Sequence, residues 1–437
     1  MTNTFERLES QVRSYCRAFP TVFNRAVNAE LFDESGRRYI DFLAGAGTLN
    51  YGHNNPQIKQ SLLEYLRQDS IVHALDMYTV AKRSFLEALD SRVLQPQKLV
   101  YKVQFPGPTG TNAVEAAMKL ARKVTGRHRI VAFTNGYHGM TAGSLSATGN
   151  EYHRQGSSGL LGGVSFMPFD GYFGPDVDTV EYLRKFIEDA SSGLDKPAAI
   201  MLETVQGEGG VNVATAGWLM RVQQLCREHG ILLIVDDIQA GCGRTGAFFS
   251  FSSSGVVPDI VTLSKSLSGY GLPMALVLIK PELDRWEPGE HNGTFRGHNL
   301  AFVTAQAAMD IYWRDNAFAA QVNTKAQRLR RKLLAIADAY GQAVIEVRGR
   351  GMFVGLAFEQ EPELATAVSR RAFEKGLIVE TCGSRDHVLK LLAPLTIEDH
   401  VLDEGLMLLE QAICDTLTQH KTRSYSTPEI YLSKETQ

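Results

Sequence analysis

The sequence predicts an α/β protein in which a mainly parallel β-sheet is covered by helices on both faces. Short apolar runs alternate with helical patterns between residues 100 and 280, the order expected when each strand is followed by a helix that crosses back over the sheet. These runs are apolar at every position rather than at every second one, which is typical of strands buried on both faces. With 437 residues, 44% of them hydrophobic, the chain is long enough to bury a large core.

The first elements follow from turn signals and apolar spacing. A turn at 36–37 and the alternating apolar residues after it predict a short antiparallel hairpin that ends in a glycine-rich loop. Helical spacing of Ile58, Leu62 and Leu66 begins a helical region that extends to about residue 93. Five short apolar runs predict strands of the large sheet, at 129–134, 198–203, 231–236, 260–264 and 276–280.

The last third of the chain has a different pattern. A long stretch rich in alanine, arginine and lysine predicts a helix from about 299 to 340. Strand-like runs at 344–358 and 377–392 flank a predicted helix at 361–376, so this part is expected to form a separate α+β unit. The polar segment 421–437 has no period, and we expect it to be mobile or packed on a partner.

Charge, apolar runs and cysteines exclude several classes of protein. The chain has 45 basic and 48 acidic residues, which gives a net charge of −3. Because this charge is nearly balanced, we expect no nucleic-acid partner. No apolar run reaches the roughly 18 residues of a membrane span, and the charged first 14 residues do not resemble a signal peptide. Five cysteines without metal-binding spacing predict reduced thiols, no metal site and a cytoplasmic protein.

One glycine motif is misleading. Residues 241–246 read Gly-Cys-Gly-Arg-Thr-Gly, which matches the fingerprint of dinucleotide-binding sites. That fingerprint leaves a strand directly and opens a helix. Here Asp-Asp-Ile-Gln-Ala lies between the apolar run that ends at Val235 and the motif, which leads into Ala-Phe-Phe-Ser-Phe. We therefore expect no nicotinamide or flavin site at this position.

Three segments at predicted strand ends form a more informative set. Gly110 and Thr111 begin a helix whose free N–H groups and dipole suit a phosphate. Asp236 ends an apolar strand, where a buried carboxylate needs a cationic partner or a metal. Lys265 follows another such strand, and burial lowers the pKa of an amine toward what imine formation requires. A phosphate cradle, an acid for a pyridinium proton and an amine for a Schiff base are the parts of a pyridoxal phosphate site.

These residues also resemble a known family. Over essentially its whole length, the chain is similar to the class III aminotransferases, enzymes of the fold-type I pyridoxal phosphate superfamily. The segments that carry the resemblance are Gly-Thr-Asn-Ala-Val-Glu-Ala-Ala from residue 110, Asn-Gly-Tyr-His-Gly from 135, Glu-Thr-Val-Gln-Gly-Glu-Gly-Gly from 203, Ile-Val-Asp-Asp-Ile-Gln-Ala-Gly from 234, Ser-Lys-Ser from 264 and Asn-Gly-Thr-Phe-Arg-Gly from 292.

The resemblance assigns roles to individual residues. It implies that Lys265 forms the Schiff base and moves the proton, and that Asp236 pairs with the pyridine nitrogen. The other residues that it implies near the cofactor are Gly110 and Thr111 at the phosphate, Tyr137 stacked on the ring with His138 beside it, Glu203, Ile238 on the ring face, and Gln239 at the phenolic oxygen. Thr294 matches a residue that reaches the phosphate of a neighbouring subunit, which implies at least a homodimer.

A narrower likeness suggests the substrates. Segments beginning at Ser14, Gln104, Asp170 and Gly289 resemble those of the diaminobutyrate:2-oxoglutarate aminotransferases of ectoine biosynthesis. Such enzymes move the amino group of L-glutamate to L-aspartate 4-semialdehyde. Other ω-aminotransferases, which act on 4-aminobutyrate or ornithine, remain an alternative, as do diaminobutyrate supply for siderophores or peptide antibiotics and a pyridoxal-binding regulator without catalysis.

Two departures from the wider class concern carboxylate binding. Many class III enzymes have an arginine just after the Tyr-His-Gly segment, where this chain has Met140, so Arg296 becomes a candidate for that role. Many also have an arginine that pairs with the second glutamate of the Glu-Thr-Val-Gln-Gly-Glu segment, here Glu208. The matching position is Lys390, which lacks the bidentate fork of arginine.

The resemblance also sharpens the domain limits. Residues 57–315 are expected to form the large cofactor domain. Residues 1–56 and 316–437 are expected to combine into one small α+β domain made from both chain ends.

Overall fold

The computed structural model describes residues 3–341 and 345–425. Its largest sheet has seven strands, in the spatial order Lys102–Gln104, Leu276–Ile279, Ile260–Leu263, Leu232–Asp236, Ala199–Leu202, Ile130–Phe133 and Val164–Met167. Paired neighbours are parallel except at Leu276–Ile279, which is antiparallel to both of its neighbours. All five strands predicted from apolar runs are present, each within a residue of its predicted limits. The α/β prediction is confirmed.

Alternate residues of these strands pack on opposite faces of the sheet. Ile130 and Ala132 join a core cluster with Val114, on the helix Gly110–Thr125. Val131 and Phe133 join a second cluster that contains Trp218, on the helix Ala216–His229. Because both faces are covered, every position of the strand is buried, and each large apolar side chain contributes ~1.5–3 kcal/mol. This explains the continuous apolar runs in the sequence.

Three smaller sheets complete the strands. One contains Phe23–Val27, Glu30–Asp33, Arg38–Asp41 and Leu377–Ile378, so segments from near both chain ends share it. Another has the order Glu346–Arg350, Phe353–Ala357, Val388–Leu391 and Glu380–Cys382. The third sheet has two strands, Val205–Gln206 and Asn212–Val213. The predicted N-terminal hairpin is thus part of a three-stranded antiparallel meander. The domain limits at 56/57 and 315/316 stay a prediction.

The α-helices lie between and beyond the strands. Their bounds are Asn3–Leu8, Tyr15–Ala18, Ala44–Gly47, Pro56–Arg67, Val80–Ala88, Gly110–Thr125, Ala142–Ser146, Glu151–Arg154, Thr179–Glu188, Ala216–His229, Asn299–Tyr312, Ala317–Tyr340, Glu363–Glu374 and Asp399–Tyr425. Among the residues described, no helix is both long and apolar enough to cross a membrane.

One helix prediction was wrong in detail, and the start of the polar tail is helical. The expected single helix over 299–340 is broken at 313–316, where Trp313 turns inward to donate to the hydroxyl of Tyr51 at 2.7 Å. Asp315 then accepts the N–H of Ala317 at 2.8 Å, a side-chain contact that favours a new helix start over continuation. At the other end, the last helix continues to Tyr425, so 421–425 is regular structure. The rest of the polar tail, 426–437, lies outside the described residues.

The misleading glycine motif has a structural explanation. Its Arg244 is fully buried and donates to the carbonyls of Met352 and Ala393, at 3.3 and 2.6 Å, and to Asn50 Oδ1 at 2.5 Å. The motif therefore lies in a turn that ties the large sheet to segments from both halves of the chain, and no helix follows it.

Candidate active site

The predicted site residues meet at the carboxyl edge of the large sheet. Asp236 ends one strand, while Glu203 and Lys265 follow the two strands that flank it. The carboxyl ends of parallel strands meet at one edge, which is where open α/β sheets bind ligands. A cavity of about 280 Å³ opens there, lined by Thr109, Gly110, Thr111, Tyr137, His138, Gly139, Met140, Glu203, Glu208, Asp236, Ile238, Gln239 and Lys265.

Asp236 has a buried histidine as its partner. His138 Nδ1 lies 2.7 Å from Asp236 Oδ2, and both side chains are almost fully buried. The other carboxylate oxygen accepts from the Thr262 hydroxyl at 3.1 Å and from the Ile238 N–H at 3.2 Å. Burial alone would lower the pKa of His138, but the hydrogen bond and charge of Asp236 raise it. The acid at the strand end is therefore fixed in orientation and kept next to a group able to carry positive charge.

Lys265 is held in a strained backbone conformation at the cavity wall. Its φ of 47° lies in the left-handed region, which a non-glycine residue adopts only when the surroundings enforce it. Its Nζ donates to the carbonyl of Ala46 at 2.9 Å. Burial lowers the pKa of Lys265, although the nearby Glu208 carboxylate acts in the opposite sense. A lowered amine pKa increases the neutral fraction, which is the form that reacts as a nucleophile or base.

The start of the helix Gly110–Thr125 meets the requirement for a phosphate cradle. Its N-cap residue Thr109 makes no side-chain capping bond, and Gly110 and Thr111 line the cavity. The first N–H groups of a helix have no partner within the helix, and together with its dipole they favour an anion. A Cβ on Gly110 would come within 2.9 Å of Ile238 Cδ1, so a larger residue here would require the Ile238 side chain to shift.

Glu203 is buried beneath the loop that carries Tyr137. Its carboxylate accepts the N–H of Tyr137 at 2.9 Å and that of Gly207 at 3.2 Å. Burial raises the pKa of Glu203 to about 7, against the opposing charge of His138. The first of these bonds holds the backbone of Tyr137, whose side chain lines the cavity, and the second holds the segment that follows Glu203.

Glu208 and Lys390 form a close pair, as the sequence predicted. Lys390 Nζ donates to Glu208 Oε1 at 2.5 Å, and the same oxygen accepts from Gln239 Nε2 at 3.1 Å. Lys390 is completely buried, whereas Glu208 is 29% exposed and lines the cavity. Burial opposes ionisation of both groups, but their mutual attraction lowers the pKa of Glu208 and raises that of Lys390. The pair is therefore ionic.

Taken together, these residues fit pyridoxal phosphate. An uncapped helix start suits the phosphate, and Asp236 with its histidine suits a protonated ring nitrogen. Tyr137 and Ile238 supply apolar walls, and the amine of Lys265 faces the same space. This donor set combines anion binding, ring protonation and a reactive amine within one cavity.

Three predicted residues are not part of the cavity lining: Lys390, which is buried in contact with the lining residue Glu208, and, farther away, Thr294 and Arg296. Thr294 is exposed on a loop, with its carbonyl 3.0 Å from His73 Nε2. Arg296 is ion-paired with Asp76 and donates to the carbonyl of His291 at 3.2 Å. Within the described part of a single chain, neither Thr294 nor Arg296 is brought to Lys265. Met140, the residue found in place of an arginine, does line the cavity.

Sequence reasoning missed three neighbours of the site. The Ala46 carbonyl accepts from Lys265 and from Gln239 Nε2, the latter at 3.1 Å. Glu380 lies 3.2 Å from Lys390 Nζ and accepts from the hydroxyl of Tyr15, also at 3.2 Å. A backbone carbonyl leaves no mark in a sequence, but an acid between the apolar Val379 and the buried Cys382 is a signal that could have indicated Glu380.

Comparisons with known proteins are consistent with this geometry. The model of the aminotransferase class III family matches residues 13–413. A diaminobutyrate–2-oxoglutarate transaminase of Bordetella parapertussis is 58% identical, over 95% of this chain and 96% of its own. One of the same name from Halomonas elongata is 57% identical, over 94% of this chain and 98% of its own.

Solved structures of transaminases superpose on nearly the whole chain. The ornithine aminotransferase of Toxoplasma gondii superposes with a TM-score of 0.83 at 26% identity, over 96% of this chain and 94% of its own. An S-selective transaminase of Arthrobacter sp. superposes with a TM-score of 0.84 at 22% identity, over 96% and 98%, and so supports the fold alone. The predicted fold type I architecture, transaminase activity and pyridoxal phosphate cofactor are thereby confirmed at the level of the family, and the chain belongs to the class III aminotransferases.

Proposed function

We propose that this enzyme transfers the amino group of L-glutamate to L-aspartate 4-semialdehyde, giving L-2,4-diaminobutyrate and 2-oxoglutarate. The observation that carries the proposal is the 57–58% identity, over nearly the whole chain, to relatives named for this reaction. Diaminobutyrate made this way would serve as the first intermediate of ectoine biosynthesis.

The proposed reaction assigns a task to each residue of the cavity. Pyridoxal phosphate supplies the carbon that takes up the amino group and a ring that accepts the electrons left when a substrate proton is removed. Gly110 and Thr111 would hold its phosphate through backbone N–H groups. Asp236, fixed by His138 at 2.7 Å, would hold a proton on the ring nitrogen. Lys265 would carry the substrate proton from one carbon to the other, as base and then as acid.

The pair of Glu208 and Lys390 supports the acceptance of two different substrates. The diamine carries a second ammonium, for which a cavity-lining carboxylate is a suitable partner. The dicarboxylate donor carries a second anion, which suits an ammonium. If Glu208 turns away from Lys390, the exposed charge changes from negative to positive. One cavity would then accept both substrates in alternating half-reactions.

We also propose that the working unit is a homodimer. Apolar side chains are exposed around the loop that carries Thr294, among them Met77, Val80 and Phe295, and Tyr78 is fully exposed. A monomer rarely leaves such a patch in water. A second copy covering it would place Thr294 near the neighbouring chain, where the family pattern expects a phosphate contact. The cytoplasmic location stays a prediction.

Product analysis tests the reaction. The holoenzyme is incubated with L-glutamate and L-aspartate 4-semialdehyde, and the products are identified by mass spectrometry. We expect diaminobutyrate and 2-oxoglutarate in equal amounts. Transfer to succinate semialdehyde or glutamate 5-semialdehyde at higher kcat/KM would instead favour the alternative, a 4-aminobutyrate or ornithine type of enzyme. The structural likeness to an ornithine aminotransferase keeps that alternative open.

A further inference from the structure

Lys390 has two acidic neighbours rather than one. Glu380 lies directly opposite it on the adjacent antiparallel strand, the arrangement in which opposite charges interact across a sheet. Glu380 Oε1 is 3.2 Å from Lys390 Nζ. Glu380 is 7% exposed and Lys390 is completely buried, so this contact is shielded from solvent and from screening by salt.

The two acids hold the lysine in different ways. Glu208 has the short, well-aligned hydrogen bond of 2.5 Å. Glu380 Oε1 is within ion-pair distance, yet no described group makes an aligned hydrogen bond to it. A buried carboxylate oxygen without such a bond is unfavourable unless a donor can turn toward it. Lys390 is such a donor, and it becomes available when Glu208 leaves.

Glu208 has space to move, whereas Glu380 does not. Glu208 lines the cavity beside Lys265 and a second cavity of about 420 Å³ next to it. Glu380 lies within a strand, and its outer oxygen accepts from the Tyr15 hydroxyl at 3.2 Å. The departure of Glu208 without a second acid would leave an uncompensated buried ammonium until a substrate carboxylate binds, which is strongly unfavourable. With Glu380 present, the lysine keeps one partner.

We propose that Glu380 is a positioning residue that anchors the Lys390 ammonium while Glu208 is displaced, so that a carboxylate of the dicarboxylate donor binds where Glu208 was. The inference rests on the proposed function. The planar guanidinium of an arginine makes two hydrogen bonds in a fixed geometry, whereas the ammonium of a lysine is a point charge on a flexible side chain. Glu380 supplies the second point of attachment that the lysine lacks.

The anchor should affect one half-reaction more than the other. With L-2,4-diaminobutyrate, Glu208 stays on Lys390 and the anchor is not needed. With L-glutamate, Glu208 leaves and the position of the ammonium depends on Glu380. We therefore expect Glu380→Gln to raise the half-saturating concentration of L-glutamate about tenfold, with the limiting rate changed less than about twofold. For L-2,4-diaminobutyrate, both parameters should stay within about twofold of the wild type.

Single-turnover mixing of the holoenzyme with each amino acid separately measures these values through the visible absorbance of the cofactor. Glu346→Gln is the matched control, because it removes a carboxylate from the same sheet at an exposed pair with Arg348, where the contribution is small. Tyr15→Phe is a milder variant that removes only the hydroxyl bond to Glu380. It should raise the half-saturating concentration of L-glutamate about threefold. If Glu380→Gln fails to fold, this variant tests the positioning role of Glu380.

The outcomes separate the two proposals. Equal effects of Glu380→Gln on both amino acids, or values matching Glu346→Gln, would overturn the anchoring role while leaving the reaction intact. A wild-type enzyme that reacts with L-glutamate but not with L-2,4-diaminobutyrate would overturn the proposed function instead. A selective loss for L-glutamate, in a wild type that reacts with both, supports both proposals.

Discussion

Burial determines the chemistry of the individual side chains at the cavity. Lys265, Glu203 and Asp236 lie at strand ends, where the protein replaces water as their environment. Desolvation favours the neutral form of each ionisable group unless a partner compensates. Asp236 has His138 as a hydrogen-bonded partner, Glu203 accepts from two backbone N–H groups, and Lys265 donates to a carbonyl. These differences separate an acid suited to hold a proton on the cofactor ring from an amine suited to lose one.

Replacement of Lys265 tests its chemical role. We expect Lys265→Ala to abolish the visible absorbance of the bound cofactor and to reduce turnover by at least about 10⁴-fold, since both nucleophile and proton carrier are lost. Lys59→Ala, at an exposed position on the helix Pro56–Arg67, is the control and should match the wild type. Retention of wild-type kcat by Lys265→Ala would remove this residue from the mechanism.

The buried Glu203 predicts a pH dependence of stability. Its pKa is raised from 4.5 to about 7 by burial, so folding favours the protonated form. That stabilisation is complete below pH 4.5 and is lost as the pH rises through about 7. The amide in Glu203→Gln cannot ionise. The free energy of unfolding of this variant, relative to that of the wild type, should therefore rise by on the order of 3 kcal/mol between pH 5 and pH 8.

Urea unfolding of cofactor-free protein at the two pH values measures this difference. The cofactor is removed because its own binding would add to the stability. A constant difference between variant and wild type across the range would show that Glu203 ionises freely in the folded protein.

At the scale of secondary-structure elements, short connections after the strands position the site. Gly207 lies between Glu203 and Glu208, where an added Cβ would be 1.7 Å from Gln239 Oε1 and 2.8 Å from Phe353. Gln239 links the Ala46 carbonyl to Glu208. Close packing at this glycine therefore holds the hydrogen bonds that connect Lys265 to Lys390.

Gly207→Ala should displace Gln239 and lower kcat/KM about tenfold or more, because small misplacements of aligned groups are costly. Gly217→Ala is the matched control. Gly217 lies in the helix Ala216–His229, and a Cβ there meets no atom within 4 Å. It should leave kinetics unchanged and raise the stability by about 0.5–1 kcal/mol. Equal kinetics of the two variants would contradict the role given to the Gly207 contact.

Strand positions and strand-end residues are predictable from the sequence because both follow local rules. A run such as Ala199–Leu202 is apolar throughout because both its faces are covered, and acids or lysines directly after such runs must lie at the sheet edge. The contacts of Glu380 are different. They depend on the register between two strands, Glu380↔Lys390, and register across a sheet is set by packing of residues distant in sequence. The helix break after Tyr312 likewise depends on a tertiary contact of Trp313.

At the scale of the whole molecule, the exposed apolar patch predicts association. We expect the wild type to sediment at twice the chain mass of 48.2 kDa. The double substitution Tyr78→Asp with Val80→Asp should shift it to the single-chain mass and weaken cofactor retention, since Thr294 would no longer meet a neighbour. Val100→Asp, at another exposed apolar position, is the control. A wild type that sediments as a single chain at micromolar concentration would contradict the dimer.

We propose that one cavity, built around Lys265 and the pair of Glu208 and Lys390, exchanges an amino group between a dicarboxylate and a diamine. The most direct measurement mixes the holoenzyme with L-2,4-diaminobutyrate, L-glutamate or 4-aminobutyrate, each alone, and follows the visible absorbance of the cofactor. We expect rapid and complete conversion by the first two and a response at least about tenfold slower with 4-aminobutyrate. Conversion by 4-aminobutyrate as fast as by diaminobutyrate, or none by diaminobutyrate, would contradict it.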